Sequence, residues 1–174
     1  GKMIWSASPG LTGGAGFVAN TLLDMGEAAG RDYLAKLKMQ NIRAHQGDGH
    51  AVIGEIAAKK HPLGLQIFNH HTFIERGRGH NIQWLKLEPI LSFSNNIGLV
   101  RGAPHPNAAK LFINFVLSPE GQAIIRDGRH IPASDTVDAL EPGLKRGFRV
   151  NYVSPVMAAE KMKGWQSVYS SIFE

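Results

Sequence analysis

At 174 residues the chain has room for one ordinary domain or two small ones sharing a core, and 43% hydrophobic with 19% charged residues marks a folding sequence rather than a disordered one. No apolar run reaches the roughly 18–20 residues that span a bilayer, and the absence of cysteine excludes disulfides, thiolate metal sites and cysteine nucleophiles. The net charge of +5 comes from bases scattered from Lys2 to Lys163, with only short pairs such as Lys59–Lys60 and Lys145–Arg146; this argues against nucleic acid, whose binders cluster bases on one face, and fits attraction to small anions.

Residues 3–7 form an apolar run with a tryptophan, which predicts a buried strand. Pro9, Gly10, Thr12, Gly13 and Gly14 break it into a loop, and Phe17, Val18, Leu22 and Met25 mark a helix ending near Gly26. A strand, a glycine-rich loop and a helix start gather backbone N–H groups around one point, where phosphate, carboxylate or carbonate can bind. The same residues also suit a tight turn that binds nothing, and the loop matches neither a Walker motif nor a dinucleotide fingerprint. A second helix is predicted over residues 31–39 with Tyr33, Leu34 and Leu37 inward, then a weak strand over 41–44. Asp48 or a glycine beside it starts a helix running to Ala58. His45 and His50 flank that turn at a spacing of five, unlike the three or four that metal pairs on one helix prefer.

Residues 62–68 read as the clearest strand, ended by Asn69, His70 and His71. At the carboxyl end of a strand in an α/β sheet, side chains face the crevice where ligands sit. Adjacent histidines there can coordinate metal, hydrogen-bond a solute, or merely cap the turn. Residues 76–80 form a polar turn, 82–87 a further strand, and 90–100 two short extended pieces, which the residues alone allow as a hairpin within one domain.

Pro106 suits the first position of a helix. Ala108, Leu111, Phe112, Phe115 and Val116 then form an apolar stripe at helical period. Ser118 caps a second helix, with Pro119 at its first position, Glu120 near its positive end and Gly128 after its last turn. Residues 131–142 are a loop and 148–153 a brief extended segment; helices follow over 155–162 and 165–173. The alternation of strands and helices predicts an α/β fold, a layered sheet with flanking helices.

The wording “GAPHPNAAKLFINFVLSPEGQ” resembles a segment of the type 2 periplasmic solute-binding proteins of ABC importers, the iron(III)-type branch in particular. “ASPGLTGGAGFVANTLLDMG”, “PLGLQIFNHHTF” and the spacing of Leu34 and Leu37 are similar as well. The resemblance implies one lobe of such a protein: residues 1–101 as a second-lobe ligand-binding domain, 102–145 as a helical segment that packs on a first lobe missing from this chain, and 146–174 as helices returning to the second lobe. It implies a periplasmic, non-enzymatic binder without a cofactor. Such a protein captures a metal ion, metal chelate or small anion and hands it to an ABC permease in the membrane.

Thr12, Gly13 and Gly14 are then the anion-side donors, and Asn69, His70 and His71 contact the ligand directly or through a second layer. His70 and His71 are also the candidate metal ligands. Iron-binding members carry a tyrosine pair at the matching place; Fe(III) prefers anionic oxygen, so histidines there suit an organic anion or a chelate as well. A lone lobe holds half a site, so weak binding is expected. It also leaves Leu111, Phe112 and Phe115 partly uncovered unless a second copy pairs with that helix. The alternative from another class is a metal-dependent hydrolase using His70, His71 and a carboxylate such as Asp48.

Overall fold

A computed structural model describes all of residues 1–174 as a mixed α/β chain with small parallel sheets and flanking helices. In chain order the elements are β1 (Met3–Ser6), α1 (Gly14–Met25), α2 (Glu27–Lys38), β2 (Arg43–His45), α3 (Gly49–Ala57), β3 (Leu63–Gly64), α4 (Asn69–Gly77), β4 (Ile90–Ser92), α5 (Pro106–Leu117), α6 (Pro119–Asp127), β5 (Val150–Tyr152) and α7 (Pro155–Phe173). Residues 1–93 with 148–174 form one compact unit and residues 94–147 another. No helix is long and apolar enough to cross a membrane.

In the first unit β1 is the middle strand of a parallel sheet ordered β2-β1-β3, with Ile4 in register with Arg43 on one side and Gly64 on the other. Ile4 and Trp5 are both buried. Consecutive strand residues point to opposite faces, so the sheet is covered on both. Trp5 joins Val18, Ala19, Leu34, Trp165, Val168 and Tyr169 in one core. Its ring lies 5.9 Å from Phe17, 5.6 Å from Tyr169 and 4.7 Å from Phe173. Helix α3 packs on β1 and β3 with Val52 and Ile53 buried. The second sheet pairs β4 with β5 in parallel, Ile90 opposite Val150. Asn20 of α1 fastens it, donating from Nδ2 to Pro89 O at 2.8 Å and accepting from Asn151 Nδ2 at 3.0 Å.

In the second unit α5 and α6 follow one another through Ser118, whose Oγ accepts from Gly121 N–H at 3.2 Å. Buried Gln122 is the joint of this unit. Its Nε2 donates to Val116 O at 2.8 Å, and its Oε1 accepts from Ala133 N–H and Ser134 N–H at 2.8 and 3.1 Å. Helix α5 contains no buried residue; Leu111, Phe112 and Phe115 are 72%, 60% and 41% exposed.

Several sequence expectations change. The run 62–68 yields only two ladder residues, because Gln66 turns the chain at φ 54. Residues 82–87 join no sheet; Ile82 is buried, and Trp84 instead meets Phe148 edge-on at 5.4 Å. Between residues 90 and 100 only β4 pairs. The helix expected from residue 31 begins at Glu27, since Gly26, at φ 77, both closes α1 and opens α2, and Tyr33 is exposed rather than inward. The two helices expected over 155–173 are one continuous helix, α7, through Gly164. Gly128 does follow the last turn of α6, at φ −72, and the left-handed residue comes one later, Arg129 at φ 65.

Candidate functional site

Parallel strands send their following loops to one edge of the sheet, and a crevice opens where neighbouring strands lead their connections apart. The backbone bonds around β1 describe such an opening. Toward β3 the ladder ends at Leu65 N–H to Ile4 O, 2.8 Å, whereas toward β2 it continues to Ala7 N–H to His45 O, 2.7 Å. Ser6 Oγ also donates to Gly47 O at 2.7 Å. The end of β1 is therefore held to the β2 side and parts from β3. Residues 7–13 and 65–68 leave from neighbouring points on the same edge, so Thr12–Gly14 and Asn69–His71 both follow the carboxyl ends of adjacent strands.

The first arm folds back on itself. A Cβ on Gly13 would lie 2.3 Å from Ser8 O, one on Gly16 1.9 Å from Leu11 O, and one on Gly14 2.1 Å from the Tyr169 ring. These glycines are thus required by packing, whatever else they do. Gly13 N–H is engaged with Gly10 O at 3.2 Å. Helix α1 begins at Gly14 with no side-chain cap, so within this trio the helix start carries the positive end. Thr12 sits half-buried just before it.

In the second arm, Asn69, His70 and His71 form the first turn of α4 rather than the end of a strand, again without a side-chain cap. His71 is only 4% exposed. Its ring stacks on His50 at 4.0 Å and meets Phe68 edge-on at 5.4 Å. His70 is half-buried beside Phe68 at 5.2 Å, and Asn69 O accepts from Thr72 Oγ at 2.6 Å.

The third helix start on this edge differs. Asp48 Oδ1 accepts from His50 N–H and Ala51 N–H at 3.0 and 3.1 Å. Those amide bonds, Ala51's first, hold its carboxyl below the usual range, helped by the neighbouring His50 and His71. Helix α3 thus carries its own anion, while the first turns of α1 and α4 contain no acidic residue. His45 Nδ1 accepts from Gly47 N–H at 2.8 Å. Stacked imidazoles present parallel faces rather than converging lone pairs, and no group of three or more His, Asp or Glu side chains is disposed to hold a metal ion.

Sequence reasoning missed two participants. His50 comes to His71 only through the fold. Gln66, whose Nε2 donates to Leu11 O at 2.9 Å across the opening, gave no signal, because glutamine is not a usual left-handed residue.

A family profile described as “Bacterial extracellular solute-binding protein” matches residues 8–128, a span that contains both arms. No curated protein and no solved structure matches the chain.

Proposed function

The chain belongs to the bacterial extracellular solute-binding proteins, and on that premise we propose that the opening beside β1 captures a small anionic solute, free or as the anionic part of a metal chelate. The single observation that supports this most is the pair of helix starts, α1 and α4, that follow neighbouring strands with no acidic residue in their first turns. Each brings the positive end of a helix dipole to this edge of the sheet. The adjacent α3 start, already neutralised by Asp48, is left out of the site. His70, the half-buried member of the histidine pair, supplies a hydrogen bond or a proton to the solute, and buried His71 supports it from behind. Bare Fe(III) is disfavoured by the same donor set, which contains no phenolate and no spare carboxylate. Solute-binding proteins serve transport; for this chain we place the work in the periplasm, with delivery to an ABC permease.

The metal-dependent hydrolase reading is not favoured, since Asp48 is committed to capping α3 and nothing else completes a metal site.

Thermal melting with a panel of sulfate, inorganic phosphate, bicarbonate, small dicarboxylates and ferric citrate tests the proposal. Ligand linkage raises the melting temperature when ligand exceeds its dissociation constant, so at least one anion is expected to raise it at millimolar concentration, while zinc and ferric ions without a chelating anion do not. No response to any anion up to tens of millimolar would overturn the reading.

A further inference from the structure

We propose that Gln66 is a positioning residue that clips the two arms of the crevice together and thereby sets the spacing between the starts of α1 and α4. The inference rests on reading that crevice as the ligand site. Gln66 holds φ at 54, a left-handed conformation that glycine and asparagine adopt most easily. Such backbone persists where the surroundings over-determine it. Here the surroundings are specific. One residue after the last β1–β3 ladder bond, the Gln66 side chain crosses the gap and donates from Nε2 to Leu11 O at 2.9 Å.

The receiving carbonyl lies against Gly16 in the first turn of α1. A Cβ at Gly16 would come within 1.9 Å of Leu11 O and 2.9 Å of Gln66 Nε2. Gln66 therefore forms one joint with Leu11 and Gly16, some fifty residues away in sequence, and the loop between those two carries Thr12 to Gly14. The amide donor is essential, because a carboxylate of the same shape would set lone pair against lone pair. Glycine would relax the backbone yet remove the clip, which separates positioning from mere folding.

The test compares Gln66→Gly, Gln66→Asn and Gln66→Glu with the parent chain, by amide hydrogen exchange over residues 10–14 and by thermal melting titrated with sulfate, inorganic phosphate and bicarbonate. All three variants are expected to exchange about tenfold faster over residues 10–14, the scale of one lost hydrogen bond. Gln66→Gly is expected to melt no lower than the parent, because the strain leaves with the side chain, yet to need at least about fivefold more anion for the same shift. Unchanged exchange in Gln66→Gly and Gln66→Glu would overturn the clip. Faster exchange with an unaltered anion response would overturn its positioning role. If no anion moves the parent's melting temperature, the crevice reading falls by itself, and exchange still decides whether the clip exists.

Discussion

Gly14 has no room for a methyl group. A Cβ there would meet the Tyr169 ring at 2.1 Å, so Gly14→Ala is expected to cost about 1–3 kcal/mol, the usual range for overpacking. Pairing it with Tyr169→Leu should return part of that loss, as coupled neighbours do; urea denaturation of both singles and the double measures the coupling, and strict additivity would deny the contact. The run of glycines announces a loop in the sequence, but its purpose is hidden there, because the ring that demands Gly14 comes from the far end of the chain. Asp48 makes a second residue-scale prediction. Its folded carboxyl is more acidic than an ordinary aspartate, so it adds stability above the unfolded value of 3.8 that fades as pH falls through its lower folded value. Asp48→Asn keeps an oxygen for capping and removes the charge. Its urea midpoint should follow the parent's less steeply between pH 5 and 2, and parallel profiles would show that the carboxylate is not involved.

Capped helix starts were the most legible elements, whereas the uncapped starts of α2 and α4 were misplaced. Asp48 and Ser118 accept first-turn amides as read, and Pro106 and Pro119 stand at the first positions of α5 and α6, because caps are local chemistry; Ser154 and Pro155 open α7 in the same way without having been singled out. Helix stops were less legible. Helix α3 closes with Lys59 N–H on Ile56 O at 2.9 Å and Lys60 N–H on Glu55 O at 3.0 Å, with Lys59 left-handed at φ 59. This closing pattern normally uses glycine, so Lys59→Gly should stabilise the chain by about 1 kcal/mol in chemical denaturation; a loss would show that the lysine side chain matters more than its backbone. Strands were legible only where partners existed. Residues 82–87 alternate well enough but find no ladder, and 62–68 is cut short at Gln66, since pairing is a tertiary decision. The strand-turn-helix pattern sufficed to set both arms after strands, while the crossing side chain of Gln66 left no mark in the sequence. In the second unit, Gln122→Leu would strand two amides and a carbonyl that its side chain now satisfies. A loss of about 2–3 kcal/mol is expected, with faster hydrogen exchange at Ala133 and Ser134 and none at β1.

At the scale of the whole chain, the second unit is inserted into the first, leaving after Phe93 and returning at Phe148. Its helix α5 shows Leu111, Phe112 and Phe115 to solvent, and contiguous apolar surface of this kind favours association. Light scattering should therefore report concentration-dependent self-association that Leu111→Ser with Phe112→Ser reduces without lowering the melting of the first unit; a monomer at every concentration would count against it. The insertion has one more consequence, for biosynthesis. Trp5 is made about 160 residues before Trp165, Val168 and Tyr169, which help to bury it. The core around this tryptophan therefore closes only after the inserted second unit has been synthesised, so the first unit completes its folding later than the order of its own strands would suggest.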